Sequence, residues 1–124
     1  MVKLMVVLVV DDDEKVLDLF QRFMAMRKIN GLFAANSDLG IKEFNEKKEA
    51  IKTLIIDLTI DGSYTSINCI DHMKKANPDL SIFVITGGLF DQYVDDLNRF
   101  TKVVKVQKPF LFNELLDDVE KSEA

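Results

Sequence analysis

Only one cysteine, Cys69, occurs in the 124 residues, so the chain can form neither an internal disulfide framework nor a cysteine-built zinc site. That usage is compatible with a reducing compartment, and a cytoplasmic location is the expectation. Basic residues are outnumbered: 16 Lys and Arg against 21 Asp and Glu leave a formal net charge of -5. An acidic balance offers no footprint for a nucleic-acid backbone or an anionic membrane, which argues against direct nucleic-acid binding. Apolar runs long enough to cross a bilayer are also missing. Residues 1–10 are apolar apart from Lys3, but they run straight into three aspartates and read as a first buried strand, not as a signal peptide. Internal repeats, low-complexity segments and linkers rich in Gly, Pro or Ser are absent too. What is left is an ordinary globular composition, 48% hydrophobic and 30% charged, and a length that fits one domain over residues 1–124.

The apolar run from Leu4 to Val10 is too continuous for a strand with one face in water and suits the middle of a parallel sheet. Similar runs follow at 54–56 and 82–85, with weaker ones at 103–106 and 32–35. The last is the poorest and fits a strand near an edge. Between the runs the period changes to 3.6. Val16, Leu17, Phe20, Phe23 and Met24 mark the apolar face of a first helix. Leu39, Ile41, Phe44 and Asn45 mark a second, and Ile67, Ile70 and Met73 a third that stops before Pro78. Phe90, Tyr93, Val94 and Leu97 indicate a fourth helix, and Phe112, Leu115, Leu116 and Val119 a fifth. Strand and helix alternate five times, which predicts an α/β fold with a parallel sheet covered on both faces.

Charge stands where the apolar runs stop: Asp11, Asp12 and Asp13 after the first, Asp57 after the third, Lys108 before Pro109 after the fifth. In an open α/β fold those positions share the carboxyl edge of the sheet, where sites form. If the first and third strands are neighbours, Asp11, Asp12 and Asp57 come together, and their mutual repulsion raises at least one pKa unless a cation compensates. Oxygen donors of this kind suit a hard cation that keeps waters, so Mg2+ is the natural candidate. Helix capping by the same acids explains the spacing equally well, and Asp13 and Glu14 fit it at the first turn. Lys108, held between a strand and a proline, can pair with Asp57 or with a phosphoryl group, or face solvent like any single lysine. Thr86, followed by Gly87-Gly88, can offer a hydroxyl at the sheet mouth or simply close a strand before a turn.

Taken together, Asp11 with Asp12, Asp57, Thr86, and Lys108 with Pro109 make the chain resemble the receiver domains of two-component response regulators over nearly its whole length. The resemblance implies a flavodoxin-like, three-layer α/β/α fold with strand order 2-1-3-4-5. It implies a phosphoprotein whose Asp57 takes a phosphoryl group from a sensor histidine kinase, a histidine phosphotransfer protein in a phosphorelay, or a small donor. Mg2+ is then held by Asp11, Asp12, Asp57 and the Thr59 carbonyl, while Lys108 pairs with the phosphoryl group and Thr86 turns inward to bond it. Catalysis of its own phosphorylation and dephosphorylation is the expected chemistry, with no independent metabolic activity. A homodimer or effector contact through the face of helix 4, strand 5 and helix 5 belongs to the same expectation.

Two departures stand out. Asp61 replaces the proline usual after the phosphoacceptor loop's apolar residue, with Gly62 as a substitute turn, and adds negative charge near Asp57. Lys105 replaces the usual Tyr or Phe three residues before the lysine, so it should stay outward and aromatic-coupled switching should be absent. With Lys102 it makes a local basic spot, or in the case of Lys102 an ordinary solvated strand edge. Two rival functions remain: a receiver-like interaction scaffold with little or no phosphorylation, and a small metal-dependent hydrolase using Asp57. The complete Thr and Lys pattern favours the switch over the scaffold, and the lack of a further base, lid or insertion weighs against the hydrolase.

Overall fold

A computed structural model describes residues 5–60 and 62–123. Asp61 and Leu4, the expected start of the first strand, lie outside the described residues. In chain order the elements are β1 (Val6–Val10), α1 (Glu14–Met26), β2 (Asn30–Ala34), α2 (Ser37–Lys47), β3 (Ile51–Asp57), α3 (Ser66–Ala76), β4 (Ser81–Thr86), a 3-10 turn (Asp91–Tyr93) running into α4 (Val94–Leu97), β5 (Val103–Gln107) and α5 (Phe112–Glu123). The five strands form one parallel sheet in the order β2-β1-β3-β4-β5. This is the expected flavodoxin-like α/β/α architecture, and the weak run at 32–35 does become an edge strand.

Both faces of β1, β3 and β4 are buried, which is why their sequences read as unbroken apolar runs. The two-residue period of a strand sorts alternate side chains into two cores. Leu8, Val10, Leu54, Ile56, Ile82 and Val84 meet Phe44, Ile70, Met73 and Leu97 from α2, α3 and α4. Val7, Val9, Ile55, Phe83 and Ile85 meet Phe20, Met24, Leu115, Leu116 and Val119 from α1 and α5. Each such side chain, fully buried, contributes about 1.5–3 kcal/mol of transfer free energy. On the second face Phe20, Phe110 and Phe112 form a ring cluster, with Phe112 edge-on to Phe20 at 4.8 Å and stacked on Phe23 at 5.2 Å. The cluster ties α1 to the segment that runs from Phe110 into α5.

Two helix expectations need correction. Leu39 does not belong to the buried face of α2 and is 44% exposed, because the helix starts at Ser37 and turns Ile41 and Phe44 onto the sheet instead. The fourth helix is a single α-turn preceded by a 3-10 turn, in which Leu97 is buried and Phe90, Tyr93 and Val94 are only partly covered. Three acids, Asp91, Asp95 and Asp96, occupy that short stretch and stay in water.

Candidate functional site

The parallel sheet ends its central strands on one edge, and the chain's polar strand ends gather there. Asp57 is the last residue of β3, in register with Ile85 of β4, and 2% exposed. Asp11 immediately follows β1 and is 1% exposed; its backbone N–H is held by the Ala34 carbonyl of β2 at 3.1 Å. Lys108 follows β5, and its backbone N–H donates to the Thr86 carbonyl at 2.9 Å, while its peptide bond to Pro109 is cis. The side chain of Lys108 reaches past β4 to the end of β3, where its ammonium donates to Asp57 Oδ2 at 2.6 Å.

The other Asp57 oxygen is held from its own loop. Oδ1 accepts the Thr59 N–H at 2.8 Å and the Thr59 hydroxyl at 2.7 Å. Burial alone would raise the Asp57 carboxyl, but the bonds from Lys108 and Thr59 outweigh it and hold its pKa below the ordinary carboxylate value. Burial likewise works against the Lys108 ammonium, yet its bond to Asp57 prevails and raises its pKa. Each charge keeps the other ionised.

Asp11 is in the opposite position. Its Oδ1 accepts the Asp13 N–H at 2.9 Å, whereas Oδ2 is buried without a hydrogen-bond partner. Burial first, and then the nearby charges of Asp57 and Asp12, push its pKa up to about 6 against the help of the Asp13 N–H and Lys108. Asp12 is exposed at the rim. Asp13 caps α1, accepting from Lys15 N–H at 2.9 Å, so the acids divide between capping and the sheet mouth.

Among the described residues, no three His, Cys, Asp or Glu side chains converge to hold a metal ion by themselves. The donor set nevertheless fits Mg2+. Asp11 keeps a buried carboxylate oxygen without a hydrogen-bond partner beside the charges of Asp12 and Asp57, and Mg2+ uses one or two carboxylates and keeps its remaining positions for water.

Thr86 is 2% exposed, and its hydroxyl accepts the Gly88 N–H at 3.1 Å. Lys105 is exposed on β5, outward as expected, and Lys102 sits 3.8 Å from Asp79 at the opposite edge of the sheet. Sequence reasoning missed the groups that shape the loop after Asp57. Ser66 Oγ donates to the Asp57 carbonyl at 2.6 Å. Ser37 Oγ accepts the Tyr64 N–H at 3.0 Å and Asp38 accepts the Ser63 N–H at 3.1 Å, both from the start of α2. Gly62 has φ 126°, and a Cβ there would collide with the Ser37 hydroxyl. The turn is thus held by side chains around Gly62, the residue expected to supply it. The Ser63-Tyr64-Thr65-Ser66 run after the Asp-Gly dipeptide was the available signal, being rich in residues that bond their own backbone.

Neither a family model nor a curated protein matches this sequence. Solved structures do match the fold. A response regulator receiver domain protein from Clostridium thermocellum superposes with a TM-score of 0.85 at 20% identity, over 96% of this chain and 94% of that one. A CheY-like receiver domain protein from Methanospirillum hungatei JF-1 gives 0.82 at 21%, over 97% and 94%. The fold is that of response regulator receiver domains. NtrX from Brucella abortus, in a structure complexed with ATP, contains the same receiver fold: 96% of this chain matches 27% of that longer one, with a TM-score of 0.82 and 22% identity. Asp57, Lys108, Thr86 and Asp11 stand together at the sheet's carboxyl edge, and Asp12 stands at its rim.

Proposed function

We propose that this chain is a phosphoacceptor switch in which Asp57 receives a phosphoryl group from a phosphohistidine of a sensor kinase or phosphotransfer protein, or from a small acyl phosphate. The observation that carries the reading is a buried carboxylate held ionised at a strand end by Lys108 at 2.6 Å, beside a second buried carboxylate with an orphaned oxygen. A structural ion pair needs no such neighbour.

In the transfer, an Asp57 oxygen attacks phosphorus and the bond to the donor's nitrogen or oxygen breaks, its electron pair leaving with the donor. Asp57 becomes an acyl phosphate. Its depressed pKa keeps the nucleophile deprotonated at neutral pH. Thr59 positions Oδ1 from two donors, and Lys108 stays within reach of the new phosphoryl oxygens as a fixed positive charge. Asp11, Asp12, Asp57 and the Thr59 carbonyl are the groups that would hold Mg2+, which when bound neutralises charge on the carboxylates and the transferring oxygens. Thr86 then exchanges its Gly88 partner for a phosphoryl oxygen and carries the change outward. Attack of water on phosphorus returns free Asp57 and phosphate, so the activity is confined to the domain's own phosphate. A cytoplasmic kinase partner, and an effector or second copy on the α4, β5 and α5 face, complete the reading. No helix among the described residues is long and apolar enough to cross a membrane.

The test is intact-mass measurement after incubation with Mg2+ and acetyl phosphate. A gain of about 80 Da, one phosphoryl group, is expected for the parent and not for Asp57→Asn. Failure to gain mass or to bind beryllofluoride, with small donors and a broad kinase panel alike, would favour the interaction scaffold.

A further inference from the structure

The loop leaving β4 is stitched to β5 by a side chain that plays no part in the charge cluster. Gln107 ends β5 in register with Thr86, exposed on the edge strand. Its carboxamide nitrogen donates to the Thr86 carbonyl at 3.2 Å and to the Gly88 carbonyl at 2.9 Å. The Thr86 carbonyl already accepts the Lys108 N–H, so the Gln107 amide is a second donor to it. Together with the Gly88 N–H on Thr86 Oγ1, these bonds close Thr86, Gly87 and Gly88 into one fixed turn.

Neither glycine is needed for the turn as it stands. Gly62 is the one glycine with a left-handed φ among the described residues. A Cβ on Gly87 would come no nearer than 3.8 Å to the Lys108 side chain, and one on Gly88 no nearer than 3.7 Å to Thr86 Oγ1, both ordinary contacts. A pair of glycines where larger residues fit leaves other backbone conformations open to the loop. Something must then select the observed one. The donor reaching both of its carbonyls belongs to Gln107.

We infer that Gln107 is a latch: its carboxamide holds the Thr86–Gly88 turn in the resting arrangement and thereby opposes the inward rotation of Thr86. It is a positioning residue that acts through Thr86, and its role in switching rests on the phosphoacceptor reading above. When Thr86 Oγ1 leaves Gly88 for another partner, the Gly88 N–H loses its acceptor, and the turn can follow only by stretching or releasing the Gln107 bonds. Leu89, 73% exposed just beyond the turn, would move with it. The latch also gives this chain a mechanical link from β5 to the loop that does not need an aromatic at Lys105.

The experiment compares the parent with Gln107→Met, which keeps length but cannot donate, and Gln107→Glu, which places an acceptor against two carbonyls. Because the side chain is exposed on an edge strand, both variants are expected to fold. In unmodified, metal-free protein, exchange of the Gly88 amide, which donates to Thr86 Oγ1, is expected by NMR to quicken roughly threefold to tenfold in Gln107→Met and more in Gln107→Glu, the scale of losing one or two hydrogen bonds. Gly31 and Gly40 should not change. Unaltered exchange at Gly88 would overturn the latch. With Mg2+, affinity for beryllofluoride as the phosphoryl mimic should rise several-fold in Gln107→Met; an unchanged affinity would overturn its role in switching. If the parent itself forms no adduct, the phosphoacceptor reading fails, and the exchange data alone decide for or against the latch.

Discussion

Replacing Asp11 by Asn should make the metal-free protein more stable. Asp11 is 1% exposed, one of its oxygens has no partner, and its pKa is pushed up to about 6 from an ordinary 3.8. At 1.36 kcal/mol per pH unit, the ionised form is disfavoured by about 3 kcal/mol in the folded state. The sign follows from proton counting. An acid whose folded pKa is raised binds more protons when folded, so its stability contribution is complete below about 3.8 and is lost as pH rises through about 6. Asn carries no charge to lose and still offers an oxygen to the Asp13 N–H. Its amide needs a partner of its own, so a net gain of about 1–2 kcal/mol at pH 8 is expected, or about 3–6 °C in Tm for a chain of this size. The assay is thermal unfolding by circular dichroism in chelator-containing buffer from pH 4 to 8. The gain should grow between about pH 4 and pH 7 and then level off, and millimolar Mg2+ should raise the Tm of the parent but not of Asp11→Asn. A variant less stable than the parent at pH 8 without metal would refute the reasoning, because Asp11 would then be making a favourable contact as an anion.

Lys108→Met removes the cation facing a buried carboxylate and is expected to cost about 1–3 kcal/mol in urea unfolding; burial, no longer opposed by Lys108, should then move the Asp57 pKa upward in a carboxyl NMR titration. An unchanged titration would show that the 2.6 Å contact does not set the charge of Asp57. Gly62→Ala meets both a φ of 126° and the Ser37 hydroxyl, and should cost about 1–3 kcal/mol while loosening Ser63 and Tyr64 from α2. Melting at the parent's temperature would mean that the loop is not anchored there.

The elements that burial dictates could be read from the chain. Residues 7–10, 54–56 and 82–85 are buried on both faces, so their continuous apolar character announced central strands, and the short 32–35 run announced an edge. Leu39 misled because an apolar residue at helical spacing need not face the core when the helix start shifts its phase. The fourth helix misled for a related reason: Phe90, Tyr93 and Leu97 pack on the core as expected from a helix, but Phe90 and Tyr93 do so from a 3-10 turn and its flank. At the site, strand ends were legible because a charge closing an apolar run has few places to go. The hydroxyls of Thr59, Ser66 and Ser37 and the amide of Gln107 were not legible. Short polar side chains in loops can reach many acceptors, and only the path of the loop selects one.

The central claim, that Asp57 is a nucleophile for phosphoryl groups, is tested most directly by locating the modification. After incubation with Mg2+ and acetyl phosphate, borohydride reduces an aspartyl phosphate to homoserine, and peptide mass mapping finds the position. Homoserine at residue 57, absent when Mg2+ is chelated or phosphodonor is omitted, is the result predicted. An unmodified Asp57, or homoserine at another aspartate with Asp57 intact, would contradict it.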